Sequence, residues 1–501
     1  MDAVVETRSG RVRGRARRGV LAFLGVPYAR AAAGRLRFLA PQLPEAWPGV
    51  RDCFEAGQGA PQRSALPTWL QGLAGNPRGT GEDCLRVHVF TPACDGAKRP
   101  VLVWIHGGGF VFGSGSAPVY DGSALAREHD VVVITLNYRL GALGFAHLDS
   151  VARGGPFASN VGLRDQLAAL AWVKEHAAAF GGDPANVTVF GESAGAMSIG
   201  ALLGSPLARG LFQRAICQSG AAHHVSSRDG AARMAHALLG ALGLTSANAE
   251  KLCDVPLGAL VDAQLRATAS LPAPWGLLPW QPCQDDDVLP RMPLDAIAAG
   301  SARDISLLLG TNRDEYNLFL LGGAVRAMDE VRLRSVIARV LGSARAADAD
   351  ALYRELLPRA LPIERWSLLQ THRVFRAPAE RLASVASAHN PETYAYLFTW
   401  SPPLTPAAVG SCHAIEIPLV FGTYRQPPMR LLYATAGALS REMQRNWIAF
   451  AHGGSPDDPE WLPHTAATAP YVLGTRDERA QERWKKARAF WAEAGWGPRE
   501  T

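Results

Sequence analysis

The sequence lacks several features that would direct it to other classes of protein. No apolar run approaches the ~18 residues that a membrane span requires, and the opening MDAVVETRSG has no apolar segment of a secretory signal. The 501 residues contain no internal repeat, low-complexity tract or obvious linker. These absences predict a globular protein with no membrane partner and, in the absence of a signal, a cytoplasmic location.

Cysteine is scarce, and its spacing matches no metal site or disulfide framework. The seven cysteines are an odd number and widely separated, without a CxxC pair or the Cys/His spacing of zinc sites. We therefore expect a reduced protein without structural zinc. The cysteines are Cys53, Cys84, Cys94, Cys217, Cys253, Cys283 and Cys412.

Lysine is also rare, so arginine carries almost all of the positive charge behind the net charge of +6. The arginines are scattered apart from one cluster, RSGRVRGRARRG at 8–19. A nucleic-acid site would need a basic stripe with aromatic or helical partners, which this cluster lacks. We interpret it as the solvated side chains of an N-terminal β-hairpin and expect no nucleic-acid partner. The oligomeric state stays open, as a monomer or a small homo-oligomer.

Short apolar runs alternate with helical patterns along the chain. Several runs are continuous in Val, Ile and Leu, as in strands that are covered on both faces. Between two of them, Leu163, Leu167 and Leu170 share one helical face, and Gly181 and Pro184 end that helix. A strand, a helix and a strand in this order give a parallel crossover. The strand candidates are 87–90, 101–105, 131–137, 187–190, 215–218, 306–309 and 394–398.

Longer helical patterns cover about 320–392, 433–453 and 481–495. Together, the patterns predict an α/β fold with a mainly parallel central sheet flanked by helices. We expect one domain over 1–501, with a helical insertion at about 318–392. Ligands of such sheets bind beyond the carboxyl ends of the strands, so catalytic residues should follow strand candidates.

The stretch VTVFGESAGAMS changes from a β-branched run to small helix formers at Gly191. The GxSxG pentapeptide is weak evidence alone, because a glycine-rich loop gives the same match. Its place after strand 187–190 favours a nucleophile elbow with Ser193 on a sharp strand-to-helix turn. Ala194 would open the helix, with its N–H pointing toward the serine side chain.

Upstream, VLVWIHGGGF runs from a strand straight into three glycines. Unhindered backbone N–H groups there can bind a developing oxyanion. The stretch lacks the GK[ST] of a phosphate-binding loop and the spacing of GxGxxG. Together with a downstream GxSxG on a strand end, it predicts a serine hydrolase.

In a serine hydrolase with this nucleophile elbow, the acid and then the histidine follow the serine along the chain. Asp314 and Glu315 both come after strand 306–309, and spacing alone leaves either open. His413 lies beyond strand 394–398 in a loop of small residues. The competing histidines, most of them on helical or polar-surface patterns, are His372, His389, His452 and His464.

These motifs resemble the type-B carboxylesterases of the α/β-hydrolase superfamily, which include bacterial para-nitrobenzyl-type esterases and cholinesterases. The resemblance runs almost from end to end, through GEDCLRVHVFTP, WIHGGGFVFGSG, VVVITLNYRLGALGF, the long block around GESAGAMS, GTNRDE and HAIEIPLVFG. It implies an α/β-hydrolase fold and a covalent acyl-transfer reaction without a cofactor.

By matching motifs, the resemblance implies Ser193 as nucleophile, Glu315 rather than Asp314 as acid, and His413 as base. The implied oxyanion donors are the N–H groups of Gly108, Gly109 and Ala194. Glu192 and Ser219 match residues that line or buttress the family's site.

The chain departs from the family pattern at three places. Ala60 stands where many members have a cysteine that pairs with the one at Cys84, so that disulfide should be absent. Cys53 lies seven residues from this place, so its pairing with Cys84 stays open but is not favoured. Tyr316 replaces the usual glycine after the acid and should narrow or reshape the site. Asp286 replaces a turn glycine.

The residues that select the substrate are not defined by motif. The loops at 64–77 and 271–280 are expected to rim the pocket, and His223 and His224 are candidates for its acyl side. Each of three tryptophans is either a pocket wall or ordinary core: Trp69, Trp275 and Trp280.

The leading hypothesis is an intracellular bacterial esterase for small uncharged carboxylic esters. An amidase, carbamate hydrolase or lactonase would use the same three residues. A non-catalytic binding protein on this fold is the alternative from another class, and such relatives typically lose the nucleophile that is present here.

Overall fold

The computed structural model describes residues 2–63, 78–152, 154–271, 278–321, 328–403, 405, 409–427 and 429–493. The loop at 64–77 and the tryptophans at 69 and 275, which the sequence places near the pocket, lie outside the described residues.

One large sheet forms the centre of the described chain. Its order is β1-β2-β3-β5-β7-β6-β8-β9-β10-β11-β12, and β4 pairs with β2. The strands are β1 Ala3–Thr7, β2 Gly10–Arg17, β3 Val20–Pro27, β4 Val50–Asp52, β5 Arg86–Thr91, β6 Arg99–Ile105, β7 Val132–Leu136, β8 Gly182–Glu192, β9 Arg214–Gln218, β10 Ser306–Asn312, β11 Thr393–Phe398 and β12 Tyr471–Leu473.

The sheet is parallel in one half and antiparallel in the other. Neighbours are parallel from β7 through β6, β8, β9, β10 and β11 to β12. The path β1-β2-β3-β5-β7 is antiparallel, as meandering connections allow. The carboxyl ends of β6, β8, β10 and β11 therefore lie along one edge, where a parallel sheet binds its ligand.

Both faces of the sheet are buried at its central strands, such as β6 and β7, which explains the continuous apolar runs there. On β6, Val101, Val103 and Ile105 pack into one core, whereas Leu102 and Trp104 pack into the other. Successive side chains of a strand point to opposite faces, so every residue of such a strand must be apolar.

Helices cover both faces and fill the interval between β10 and β11. A single turn of π-helix, His372–Arg376, joins two of them. The helices are α1 Ser123–His129, α2 Gly141–Phe145, α3 Val161–His176, α4 Ala194–Gly204, α5 Arg228–Ala241, α6 Leu257–Ser270, α7 Pro293–Ala298, α8 Asn317–Leu320, α9 Glu330–Leu341, α10 Ser343–Leu356, α11 Pro362–Thr371, α12 Ala377–Ser387, α13 Ile417–Phe421, α14 Met429–Leu432, α15 Gly437–Gly453 and α16 Glu478–Ala492.

The seven strands predicted from the sequence are all present, within a few residues at their ends, and the predicted α/β-hydrolase fold is confirmed. The helix with Leu163, Leu167 and Leu170 is α3, and Gly181 ends the segment after it in a left-handed conformation (φ 80°). The arginine cluster at 8–19 falls on β2 and its turn, where Arg13 pairs with Asp52. Among the described residues, no helix has the length and apolar character needed to cross a bilayer.

Candidate active site

Ser193 occupies the turn between β8 and α4, in strained backbone geometry. Its φ of 55° and ψ of −125° are costly for a residue with a Cβ. A Cβ at Gly191 would lie 2.7 Å from the carbonyl oxygen of Ile105, and one at Gly195 would overlap the same oxygen. The two glycines of GESAG thus let strand and helix press against β6, and the serine is left at the apex.

The glycine loop after β6 lies directly against this turn. A Cβ at Gly107 would lie 2.7 Å from the backbone oxygen of Glu192 and 3.1 Å from the Cβ of Ser193. Gly108 and Gly109 have φ values of 110° and 60°, which glycine adopts without strain. No described residue accepts a hydrogen bond from the N–H of either glycine. At the first residue of α4, the N–H of Ala194 has no partner within its own helix. The loop next to Ser193 and the start of α4 thus carry N–H groups without a partner in the backbone around them.

Gln62 braces the glycine loop from outside. Its Nε2 donates to the carbonyl of Gly113 at 2.9 Å, and its Oε1 accepts from the N–H of Gly113 at 2.8 Å. This two-bond contact fixes the end of the loop relative to the chain around residue 60. Sequence reasoning missed Gln62, although it lies in the APQ segment that was compared for a cysteine.

Glu315 and His413 form the second half of the site. Nδ1 of His413 lies 2.7 Å from Oε2 of Glu315, and both side chains are buried. The other carboxylate oxygen accepts from the N–H of Asn312 at 2.7 Å, and the His413 N–H donates to the Glu315 carbonyl at 3.2 Å. The carboxylate is therefore fixed at the end of β10 and orients the imidazole of a residue 98 positions later.

Asp314, the competing acid, contacts the backbone before His413 and not the imidazole ring of His413. Its Oδ2 accepts from the N–H of Ser411 at 2.9 Å and from Nε of Arg313 at 2.9 Å.

Two of the competing histidines contact groups other than a carboxylate. Nδ1 of His372 lies 2.8 Å from the Tyr353 hydroxyl, and Nε2 of His389 lies 2.7 Å from a carbonyl of the α7 helix.

The remaining ring nitrogen of His413 faces Glu192. Nε2 lies 3.0 Å from Oε1 of this buried carboxylate, but the two groups are not aligned for a hydrogen bond. The hydroxyl of Ser193 forms no hydrogen bond with His413 or with another residue in the described part of the chain. Hydrogen bonds of this kind are often loose without substrate and tighten in the reactive complex.

The two carboxylates determine the protonation of His413. Burial by itself would lower the pKa of the imidazole, but Glu192 and Glu315 outweigh it and raise the pKa well above its usual value. Burial raises the pKa of Glu192, an effect that the charge of His413 opposes. The site therefore stabilises an imidazolium, the charge that forms on a general base.

A third buried carboxylate, Glu416, lies in the same region. It accepts from Nε2 of Gln218 at 3.0 Å and from Nδ2 of Asn312 at 2.7 Å. Burial, followed by the charges of Glu192 and Glu315, raises the pKa of Glu416 to about 7. Sequence reasoning missed Glu416 although it stands three residues after His413 in HAIEIP; an acid within an apolar stretch was the available signal.

Four of the nine described non-glycine residues with positive φ lie around this site, Ser193 among them. Of the non-glycine residues with positive φ, Phe110 follows the glycine loop, Ser219 follows β9, and Ala414 follows His413. Their φ values are 61°, 53° and 64°. Such conformations persist only where surrounding packing enforces them, and they are common at functional sites.

Aromatic rings cover the imidazole. The ring centroid of Phe375, from the π-helical turn, is 4.7 Å from that of His413, and that of Phe319 is 5.3 Å away. Tyr316 lies beside Phe319 at 5.3 Å and contacts Trp366 at 6.4 Å. The tyrosine at the family's usual glycine position therefore packs into this wall, with its side chain largely buried.

The other predicted lining residues have distinct positions. Ser219 is fully buried, its N–H donates to the Gly310 carbonyl at 2.8 Å, and its hydroxyl has no hydrogen-bond partner in the described structure. The rings of His223 and His224, both partly buried, lie 3.9 Å apart. Trp280 belongs to the core, where its indole N–H donates to Thr268 at 3.0 Å.

The described residues contain no group of three or more His, Cys, Asp or Glu side chains that could hold a metal ion. All seven cysteines are free thiols, including Cys53 and Cys84.

A family model described as the carboxylesterase family matches residues 1–491. The chain belongs to the carboxylesterase family. It is 41% identical to the para-nitrobenzyl esterase of Bacillus subtilis, with 90% of each chain covered. It is 33% identical to a phenmedipham hydrolase of Pseudarthrobacter oxydans, over 95% of this chain and 96% of that protein. A solved para-nitrobenzyl esterase structure superposes with a TM-score of 0.84 at 38% identity, covering 96% of this chain and 99% of the other.

This carboxylesterase is thus a serine hydrolase of carboxylic esters, and its substrate is a small-molecule ester. The sequence-based recognition of the family is confirmed over nearly the whole chain.

Proposed function

We propose that Ser193, His413 and Glu315 are the catalytic triad of this carboxylesterase. The observation that carries the proposal is the 2.7 Å contact between Glu315 and Nδ1 of His413. It fixes the tautomer of the imidazole and leaves Nε2 as the base, on a ring that packs beside the elbow residue Glu192. Ser193, next to Glu192, is the nucleophile.

In the proposed reaction, Nε2 of His413 takes the hydroxyl proton of Ser193 as Oγ attacks the ester carbonyl. Glu315 stabilises the imidazolium without taking a proton. The N–H groups of Gly108, Gly109 and Ala194 bind the tetrahedral oxyanion, and losing one such donor typically costs ~10²–10³ in rate. His413 then protonates the leaving alcohol, and water repeats the cycle on the acyl-enzyme.

Glu192 is proposed to assist by stabilising the positive charge that His413 acquires. Oε1 of its carboxylate lies 3.0 Å from Nε2.

We further propose that residues 1–501 form one domain, with helices α8 to α12 as an insertion between β10 and β11. The proposed setting is a bacterial cytoplasm, with no nucleic-acid or membrane partner and as a monomer or small homo-oligomer. The bacterial relative at 41% identity and the free thiols support this setting.

Small uncharged esters are the proposed general substrates. An amide, carbamate or lactone would be attacked by the same three residues and is the alternative substrate class. A non-catalytic binding role is disfavoured because serine, histidine and acid are all present.

The direct test is the Ser193→Ala variant with a short-chain p-nitrophenyl ester. Turnover should fall to background while circular dichroism stays unchanged. Ser205→Ala is the matched control, because Ser205 is a buried serine at the other end of α4 and should keep most activity. If Ser193→Ala keeps most of its activity, the assignment is wrong. A panel varying acyl and alcohol size separately, with an amide and a carbamate, would then define the substrate.

A further inference from the structure

The π-helical turn carries a cation, Arg373, that pairs with no acidic side chain among the described residues. Arg373 is partly buried, and in the described chain it forms no ion pair with any carboxylate. Its one polar contact is a 3.5 Å approach of Nη1 to Oε1 of Gln370. Removing a guanidinium from water without a counter-charge is unfavourable, so an unpaired arginine in such a place calls for an explanation.

The cation belongs to a cluster of polar groups with unused hydrogen-bonding capacity. Nδ1 of His224 is buried without a hydrogen-bond partner among the described residues. The ring nitrogens of His223, which the backbone of Val374 in the π-helical turn approaches, form no well-aligned hydrogen bond there. Burial, followed by the charge of Arg373, lowers the pKa of His224 to about 3. Burial likewise lowers the pKa of Arg373 itself. The cluster is rich in donors and contains no carboxylate.

This cluster is bounded by the elements that carry the site. The loop with His223 begins at Gly220, where a Cβ would lie 2.6 Å from the backbone oxygen of Ser193. On the opposite side, the same π-helical turn that holds Arg373 packs Phe375 against His413 at 4.7 Å. Isolated π-helical turns often occur at functional sites, because they re-aim side chains within a helix.

The neighbouring acid loop completes the cluster. Tyr316, which follows Glu315, is tied to the helix before the π-helical turn by its N–H, which donates to Oγ1 of Thr371 at 3.1 Å. Burial raises the pKa of its phenol, an effect that Gln370 and Arg373 partly offset. The phenol is therefore a neutral donor beside the guanidinium rather than a counter-ion.

Resting on the esterase function proposed above, we propose that Arg373, with His223 and His224, binds an anionic group of the substrate. Esters that carry a carboxylate on their acyl or alcohol part are then preferred to uncharged esters of the same shape. A carboxylate would pair with the planar guanidinium and accept hydrogen bonds from the imidazoles, satisfying the groups that the protein leaves unpaired. Uncharged esters remain substrates, without this contact.

The test compares matched esters on the wild-type enzyme. Monomethyl glutarate carries a carboxylate on the acyl part, and methyl 5-methylhexanoate replaces it with an isopropyl group of similar shape. 4-Isopropylphenyl acetate and 4-acetoxybenzoate make the corresponding pair for the alcohol part. For each pair, the kcat/KM of the charged ester is divided by that of the uncharged ester. This ratio should exceed one in one of the pairs, and that pair identifies which part of the ester is recognised.

Arg373→Met should lower that ratio at least about tenfold, mainly through KM, as expected for loss of a charge-assisted contact. Arg373→Lys should recover part of it, because lysine restores charge but not the planar fork. The matched control is Arg334→Met, which removes the same charge from an exposed position of α9 and should leave the ratio unchanged.

The outcomes separate this inference from the proposed function. If the wild-type enzyme favours the uncharged ester in both pairs, the anion site is refuted while uncharged turnover still supports the esterase. If Arg373→Met and Arg334→Met change the ratio equally, the effect is general electrostatics and the specific site is also refuted. If no ester is hydrolysed, the proposed function itself fails. The wild-type ratio decides even if Arg373→Met does not fold.

Discussion

Nε2 of His413 lies 3.0 Å from Oε1 of Glu192, the residue immediately before the proposed nucleophile. The imidazole is thereby placed between two buried carboxylates, since Glu315 contacts its other nitrogen at 2.7 Å. Two negative neighbours favour the protonated ring and so set the pH at which the base becomes available.

The first prediction concerns this pH dependence. In Glu192→Gln one of the two charges that raise the pKa of His413 is gone, so that pKa should fall. Because activity requires the neutral imidazole, the acidic limb of the kcat/KM profile should move to lower pH. The profile is measured with an uncharged ester from pH 4 to 9. A limb that stays in place or moves upward would contradict the role of Glu192.

The second prediction separates the two candidate acids. Glu315→Gln should lower kcat by about 10³-fold or more, since an amide favours the wrong imidazole tautomer and cannot stabilise the imidazolium. Asp314→Asn should cost far less, because Asp314 bonds the N–H of Ser411 rather than His413. Steady-state kinetics of both variants on one ester decides; a larger loss in Asp314→Asn would move the acid by one position.

The third prediction concerns stability. Arg139 and Asp165 form a fully buried pair with contacts of 2.8 and 2.6 Å, and Asp165 also accepts from the Arg139 N–H at 3.0 Å. Asp165→Asn should lower the free energy of unfolding by about 3–5 kcal/mol, because the guanidinium is left buried without its counter-charge. Chemical denaturation provides the measurement.

The exposed pair of Arg13 and Asp52 supplies the control for that experiment. Asp52→Asn should change the free energy of unfolding by no more than about 1 kcal/mol, as is usual for solvated ion pairs. Equal losses in the two variants would mean that burial does not determine the contribution of these pairs.

The fourth prediction follows from Glu416, whose pKa is raised to about 7 in the folded protein. The unfolded chain releases this proton near pH 4.5, so between these values the folded state binds more protons than the unfolded state. The contribution of Glu416 is therefore fully present below about pH 4.5 and is lost as pH rises through 7. Glu416→Gln should flatten this decline, so its stability relative to the parent should be greater at pH 8 than at pH 5. Thermal unfolding at both pH values tests the sign.

The fifth prediction concerns the thiols. Burial raises the pKa of Cys84 to about 12, and the other buried thiols shift in the same direction. Thiolates are therefore rare at pH 8, and the native protein should react slowly with a thiol reagent. After unfolding without reductant, seven thiols should titrate, matching the seven free cysteines. A count of five would reveal a disulfide.

The sequence was informative wherever residue identity dictates the backbone. Gly191 and Gly195 are required by their contact with Ile105, so the elbow could be predicted from a pattern of glycines at a strand end. The continuous apolar runs likewise predicted doubly covered strands. Three-residue strands such as β4 and β12 were not predicted, since so short a segment carries no periodicity.

The residues that surround the catalytic carboxylates could not be predicted from the sequence. Glu416 and Gln218 meet only because β9, β10 and the segment after His413 converge in space, and nothing in their local sequence records that contact. The absence of an ion-pair partner for Arg373 among the described residues could not be predicted for the same reason. A missing counter-ion is a property of the folded chain, not of a motif.

The separation of 98 residues between Glu315 and His413 also has a consequence for the order of folding. Their contact needs β10 and β11 to pair across the helical segment, and Ser193 joins them only after β8 and β9 have aligned. Parallel strand pairs that are far apart in sequence form slowly, because the entropy of closing a long loop is lost before the contacts between the strands form. Recovered esterase turnover during refolding therefore reports completion of the parallel half of the sheet, whereas far-ultraviolet circular dichroism reports the earlier formation of local helices.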